Sequence, residues 1–296
     1  MPKQRKNKDL PLRGTAPPFR NEAFERYYLN LYGARWEGGS LRPGERPIGL
    51  RPIGLRPAGL RQSLVEEAAP TAFAEGLREP YFLDAASVLA ARTLRIPAGG
   101  IVLDACAAPG GKSLVIAAAL PEGTRLLANE LSGDRRRRLA AVLDRYLPEE
   151  KRARVTVSGF DAAAQGGRKS EGGRFAAILL DAPCSSERHV LASPRALERW
   201  TPARPRFLAR RQWALLSSAF LLLKPGGSLV YATCALTAEE NDGVAGRLLE
   251  KPGARLDPPD FAEGEAMRFG RIILPDRCGG MGPMYVARFY REESPP

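Results

Sequence analysis

Histidine is almost absent from this chain: one residue, His189, stands among 296, beside 45 Lys plus Arg and 33 Asp plus Glu. Cysteine is scarce too, with four residues at positions 106, 184, 234 and 278 and no C-x-x-C pair. A lone histidine and scattered thiols cannot form a zinc site at ordinary ligand spacing, so no metal is expected. The same spacing argues against a disulfide framework and suits a reducing compartment. Long apolar runs are missing as well, and the start, Met1-Pro-Lys-Gln-Arg-Lys-Asn-Lys8, carries charge with no apolar segment behind it. A cytoplasmic protein without membrane contact is the expectation. Acidic residues are in deficit, and the net charge of +12 favours a polyanionic partner, most simply nucleic acid, with a solvated basic surface as the equal alternative from charge alone.

What is present is enough apolar material, 44% of the residues, to bury one α/β core with a smaller appendage. Residues 1–20 are basic and read as a flexible arm. An N-terminal extension follows over 21–80. Phe24, Tyr27, Tyr28, Leu31 and Tyr32 recur at helical period within 21–36. The repeat Arg46-Pro-Ile-Gly-Leu50, Arg51-Pro-Ile-Gly-Leu55, Arg56-Pro-Ala-Gly-Leu60 excludes regular helix and reads as an extended linker. From 81 onward strand and helix signals alternate, the mark of a parallel sheet covered on both faces. Strands are expected at 101–106, 125–130, 154–157, 175–181, 228–233, 271–274 and 284–289. Helices are expected at 84–94, 112–119, 133–146, 205–223 and 238–250, with Lys224-Pro-Gly-Gly227 turning the chain from helix to strand.

Ligands of an open α/β sheet bind beyond the carboxyl ends of its strands. The first such end is Asp104-Ala-Cys-Ala-Ala-Pro-Gly-Gly-Lys-Ser113, which matches neither a Walker A loop nor G-x-G-x-x-G. Small residues and a Pro-Gly-Gly turn let the backbone approach a ligand closely, with the next helix start directed at a carboxylate. S-adenosylmethionine carries a carboxylate and no phosphate. Glu130, nineteen residues past Gly111, is placed to accept both ribose hydroxyls, and Asp161 after the third strand to accept from an adenine amino group. Each acid alone reads as a surface or capping residue; in order, at successive strand ends, they read as an adenosine site.

Two further strand ends carry cysteine, in Asp181-Ala-Pro-Cys184 and Tyr231-Ala-Thr-Cys234. A thiolate is the natural attacker on carbon 6 of cytosine, which must be engaged before carbon 5 can accept a methyl group. Asp181 is the candidate acid at ring nitrogen 3.

This constellation resembles the RNA (cytosine-5) methyltransferase family of Nol/Nop/Sun type. The resemblance rests on Tyr81-Phe-Leu-Asp-Ala-Ala-Ser87, Leu103-Asp-Ala-Cys-Ala-Ala-Pro-Gly-Gly-Lys112, Leu180-Asp-Ala-Pro-Cys-Ser185 and Lys224-Pro-Gly-Gly-Ser-Leu-Val-Tyr-Ala-Thr-Cys-Ala-Leu-Thr-Ala-Glu-Glu-Asn241. It implies a Rossmann-like class I methyltransferase fold over 81–296, with a mostly parallel seven-stranded sheet, helices on both faces and a small helical or irregular N-terminal extension. It implies Cys234 as nucleophile, Cys184 in product release, and Cys106, Ala107, Ala108, Pro109, Gly110, Gly111, Lys112, Glu130, Arg135, Asp161 and Asp181 as S-adenosylmethionine contacts. The implied product is 5-methylcytosine in ribosomal or transfer RNA. The segment Ser185-Ser-Glu-Arg-His-Val190 departs from many members and looks closer to the mitochondrial ribosomal and transfer RNA branches. A monomer is expected, with a protein partner left open. The competing readings are a noncatalytic RNA-binding assembly factor of the same fold and a DNA cytosine-5 methyltransferase, which attacks from a Pro-Cys motif. His189 reads as structural or at a substrate edge, Cys278 as incidental, Arg135–Arg138 as a solvated face, and Trp200 and Trp213 as packing residues.

Overall fold

The computed structural model of the chain describes residues 21–37, 39, 41, 50–53, 77–79, 81–167 and 172–293. The expected basic arm and most of the pentapeptide repeat lie outside them. In chain order the elements are α1 (Glu22–Tyr32), α2 (Ala34–Glu37), β1 (Leu50–Ile53), β2 (Tyr81–Asp84), α3 (Ala85–Arg92), β3 (Ile101–Asp104), α4 (Gly111–Ala118), β4 (Arg125–Asn129), α5 (Gly133–Tyr146), α6 (Glu149–Arg152) and β5 (Val155–Ser158). They continue as α7 (Ala162–Gln165), β6 (Phe175–Asp181), α8 (Glu187–Ala192), α9 (Pro194–Glu198), α10 (Ala203–Leu222), β7 (Leu223–Thr233), α11 (Asp242–Leu248), β8 (Ala254–Leu256), β9 (Glu265–Ala266), β10 (Arg271–Ile273) and β11 (Met284–Arg291).

The main sheet runs β5-β4-β3-β6-β7-β11-β10-β9, with β8 on β11. Its first five strands are parallel and β11, β10, β9 and β8 are antiparallel. The chain winds outward from β3 to β5 and then returns to place β6 on the other side of β3. That reversal makes the β3/β6 boundary the switch point at which such sheets open a crevice. All seven expected strands are present, and the short β8 and β9 bring the sheet to nine among the described residues.

Alternation along the central strands sends side chains into two cores. Leu103, Ile178, Leu180, Leu229, Tyr231, Ala287 and Phe289 face one cluster with α10 and α11, whereas Val102, Leu179, Val230, Ala232 and Val286 face another with α3, α4 and α5. The N-terminal extension joins the first cluster through Phe24, Tyr28, Trp36 and Leu41.

The structure departs from expectation at four further points, besides the short helices α6, α7, α8 and α9, which were not expected. The helix over 21–36 breaks at Gly33, whose φ of 53° no longer continues a helix. Leu50–Ile53 forms a strand paired antiparallel with β2. β7 begins at Leu223, ahead of the expected turn, and Lys224–Gly227 bulges out between the Leu223–Phe175 and Ser228–Ala177 pairs. The helix over 238–250 starts only at Asp242, because Thr237–Asn241 forms a turn closed by Asn241 N–H on the Thr237 carbonyl at 3.2 Å. Among the described residues, no helix is long and apolar enough to cross a membrane, and no cluster of three or more His, Cys, Asp or Glu could hold a metal ion.

Candidate functional site

The site grows from the carboxyl ends of β3, β4, β5, β6 and β7. Asp104 ends β3 in the interior and accepts from Ser113 Oγ at 2.6 Å, tying the strand to the first turn of α4. Burial pushes its carboxyl up to about 7. Between them runs the loop Cys106–Gly110. Gly110 has φ +122°, which side-chain-bearing residues rarely adopt, and a Cβ there would lie 3.0 Å from Val142 and 3.2 Å from Leu139. No side chain caps the start of α4, so its first backbone N–H groups keep donors for a ligand anion. Cys106 is half-buried, and desolvation raises its thiol well above the usual range.

Beside this loop, at the end of β4, Glu130 is 4% exposed and accepts from Ser132 N–H at 2.9 Å. Its Oε2 lies 3.2 Å from Arg135 Nη1 but has no hydrogen-bond donor among the described residues. Arg135 also donates to the Ala108 carbonyl at 2.8 Å, clasping the Cys106–Gly110 loop to α5. Asp161 stands exposed after β5, where it caps α7 by accepting from Ala163 N–H at 3.0 Å. Asn129, which the sequence reading passed over, stitches these ends together. Its Nδ2 donates to the carbonyls of Ala105 and Phe160, and its Oδ1 accepts from Ser158 Oγ and Phe160 N–H, all at 3.0–3.2 Å.

Asp181 at the end of β6 accepts from Lys112 Nζ at 2.8 Å, and Lys112 also reaches Ser87 Oγ at 3.2 Å. Desolvation opposes the Lys112 charge, but Asp181 and then Cys234 outweigh it and hold the ammonium above its ordinary range. Asp181 thus meets the crevice as the partner of an ammonium, not as the lone acid expected. Two expected cofactor contacts, Lys112 and Asp181, are brought together, and the motif around Ser87 joins them. Asp84 fixes that motif by accepting from Arg188 Nη1 at 3.0 Å and from Gly282 N–H.

Strands β6 and β7 end side by side, and their cysteines meet: the Sγ atoms of Cys184 and Cys234 are 2.7 Å apart, both as free thiols. Cys234 N–H also points at Cys184 Sγ at 3.3 Å. The hydrogen bond with Cys234, followed by burial, raises the Cys184 thiol well above its usual range.

Behind the thiols lies a buried polar network. Glu240 Oε2 accepts from Ser185 N–H at 2.9 Å and Gln212 Nε2 at 2.8 Å, and its Oε1 accepts from Thr237 Oγ1 at 3.1 Å. Gln212 also donates to the Pro183 carbonyl at 3.0 Å. Glu187 accepts from Tyr28 OH, Ser185 Oγ and Leu236 N–H; burial lifts its carboxyl to about 7 despite those donors. Both cysteine-bearing loops are therefore held by carboxylates, and α1 closes the network from outside through Tyr28 and through Tyr32 OH on the Leu236 carbonyl at 2.6 Å. Gln212, Glu187 and Glu240 had no assigned role in the sequence reading. The signal for Glu187 and Glu240 was an acid beside the apolar and small residues of each cysteine motif; Gln212, on α10, carried none.

The remaining candidates stand apart. His189 is exposed on α8. Trp200 is 2% exposed among Phe24, Tyr27 and Tyr28, and Trp213 lies under Arg247 at 4.3 Å, so both pack rather than offer a free ring.

Comparison with known proteins places the chain among RNA methyltransferases by sequence. The chain is 33% identical over 237 residues to the 5-cytosine rRNA methyltransferase NSUN4 of Bos taurus, covering 73% of this chain and 60% of that protein. It is 34% identical over 226 residues to the mitochondrial tRNA (cytosine(34)-C(5))-methyltransferase of Danio rerio, covering 72% and 60%. The chain thus spans 60% of the length of these curated relatives. Among solved structures, NSun6 from Pyrococcus horikoshii with SFG superposes with a TM-score of 0.61 at 25% identity, over 77% of this chain and 56% of that one. The cytoplasmic placement expected from composition is overturned by the second of these relatives, which is named as mitochondrial. Scarce cysteine and missing apolar runs suit any reducing aqueous compartment, so they could not separate the two. A family model described as 16S rRNA methyltransferase RsmB/F matches residues 91–290, well over half of the chain, and the chain belongs to that family.

Proposed function

We propose that the chain is an S-adenosylmethionine-dependent RNA (cytosine-5) methyltransferase that forms 5-methylcytosine in ribosomal or transfer RNA through a covalent bond to Cys234. The observation that carries this reading is the thiol pair: two free sulfurs 2.7 Å apart at the ends of adjacent parallel strands. Two thiols so close can act in turn on one edge of one pyrimidine.

The strand ends fit the cofactor. Glu130 Oε2 is a buried acceptor without a donor, as ribose hydroxyls require, and the uncapped start of α4 suits a carboxylate. Cys106–Lys112, Glu130, Arg135, Asp161 and Asp181 would hold it, and when bound it supplies an electrophilic methyl group. Cys234 as thiolate adds to carbon 6, forming a C–S bond and an enamine nucleophilic at carbon 5. The Lys112–Asp181 pair offers donor and acceptor for the polar edge of the ring. Once carbon 5 is methylated, its proton must leave to a base as the C–S bond breaks and the Cys234 thiolate departs. Cys184, held protonated by its hydrogen bond and burial, can give its proton to the departing Cys234 sulfur and, as the thiolate so formed, take the carbon 5 proton, which suits it to release rather than attack. An unpaired or extruded cytosine is the required form of substrate, since carbon 6 is shielded in a stacked helix.

Incubation with 5-azacytidine-containing RNA tests the reading. A covalent adduct formed by the parent and lost in Cys234→Ala is expected. No adduct with correctly folded parent protein would leave a binding factor, and loss in Cys184→Ala on a DNA duplex would leave a DNA enzyme.

A further inference from the structure

Helix α10 presents an exposed basic face at its start. At 100° per residue, Phe207 falls at the centre of the outward face with Ala203 and Ala214, Arg206 and Arg210 line one flank, and Arg204 and Arg211 the other. All seven are exposed. The opposite stripe, with Pro205, Gln212, Leu215, Leu216 and Ala219, is buried. Across 195–211 there are six arginines and one acid, Glu198. Among the described residues, none of the four α10 arginines has a carboxylate within ion-pairing distance. Some arginines elsewhere do pair with carboxylates: Arg35 with Asp276, Arg188 with Asp84 and Arg288 with Asp257.

Basic faces are commonly just solvated, and Phe207 distinguishes this one. At 58% it is the most exposed of the large hydrophobic residues among those described. An exposed ring between arginines is the arrangement that binds single strands: guanidinium groups follow the phosphates while the ring stacks on a base of any identity. A protein partner would find only one ring and two alanines to bury on this stripe, too little for a stable apolar contact. The face begins at the carboxyl end of the sheet, and on its buried side the same helix sends Gln212 to the Cys184 loop. Because it looks outward, it meets RNA beside the target nucleotide rather than the target itself.

We propose that this face docks an unpaired RNA strand flanking the modified cytosine, with Arg204, Arg206, Arg210 and Arg211 on phosphates and Phe207 stacked on a base. The proposal rests on the RNA methyltransferase reading.

The test measures binding of the full chain to a short unpaired RNA containing a single cytosine, across a series of salt concentrations. The double variant R206Q/R210Q should flatten the plot of log K against log salt by about 1.4, from about 0.7 per lost single-strand phosphate contact. Phe207→Ala should weaken binding about tenfold with the slope unchanged, and Phe207→Trp should restore it. Unchanged thermal midpoints show that the variants are folded. Parent-like affinity and slope in both variants would overturn the proposal, as would loss of an acidic protein's binding while RNA binding stays intact. Adduct trapping separates the two levels: an adduct with parent-like slopes sinks only this surface, whereas no adduct from the parent sinks the enzyme reading and leaves the salt series to judge the surface.

Discussion

Glu240 has no exposed surface and accepts three hydrogen bonds, from Ser185 N–H, Gln212 Nε2 and Thr237 Oγ1. Glu240→Ala removes the acceptor and leaves three donors facing a void. Each buried donor left unpaired costs about 1–3 kcal/mol. The loss is therefore about 3 kcal/mol if water enters the void and satisfies part of the set, and larger if it stays dry. Against a total stability of about 5–15 kcal/mol, that is a severe change. At about 2–4 °C per kcal/mol for a protein of this size, the midpoint falls by roughly 6–12 °C. Glu240→Gln is the discriminating partner. Its amide oxygen can take the place of Oε2 and keep the Ser185 and Gln212 donors, while the Thr237 hydroxyl turns to accept from the amide nitrogen. Burial holds the Glu240 carboxyl above its ordinary range, so the neutral amide also avoids a desolvation cost. The Gln variant should stay within about 1 kcal/mol of the parent. Urea denaturation of the three proteins decides the matter. Equal losses in both variants, or an Ala variant as stable as the parent, refute the reasoning.

Three other outcomes follow from the same buried groups and close contacts. Asp104 and Glu187 are both raised to about 7 by burial, so the folded state binds their protons more tightly than the unfolded chain. Their stabilisation is full below about pH 4 and is lost as pH rises toward 7, up to about 3 kcal/mol for Glu187 at about 1.4 kcal/mol per unit; denaturation between about pH 5 and 8 should show a shallower decline in Glu187→Gln, and an identical decline would exclude the assignment. Gly111→Ala places a Cβ 2.8 Å from Leu83 Cδ1 and 3.1 Å from Tyr81 Cε1, an overpacking that should cost about 1–3 kcal/mol and weaken S-adenosylmethionine binding by calorimetry; parent values for both would contradict the packing argument. Cys184→Ala should accumulate a protein–RNA adduct on unmodified RNA that Cys234→Ala never forms, since release fails only after attack has succeeded; two variants equally free of adduct would remove the division of labour.

The fold was legible where local signals and tertiary context agree. The strand at 175–181 was read to its limits, because Phe-Ala-Ala-Ile-Leu-Leu-Asp is a buried parallel strand bounded by charge and proline. The start of β7 at Leu223 was hidden, because Lys224-Pro-Gly-Gly227 carries the chemistry of a turn and, looped out between Leu223 and Ser228, gives no sign that the residue before it already pairs with Phe175 on β6. Of the site, the strand-end residues were legible as single positions in order. Their relations were not. Nothing in the spacing says that Lys112 reaches across 69 residues to Asp181, or that Tyr28 meets Glu187. Those contacts follow from the parallel order of β3, β6 and β7 and from the return of α1 over their ends, which are properties of topology rather than of periodicity.

The return of α1 bears on how this unit could be moved between proteins. Every residue with a proposed chemical role lies after position 81, which invites grafting from there onwards. Such a graft would strip the ring stack from Trp200, uncap Glu187 and bare the carbonyl of Leu236. The sulfurs would then sit behind a missing wall, so a transplant meant to keep its chemistry should carry the stretch from Asn21 to Leu41 along with the motifs.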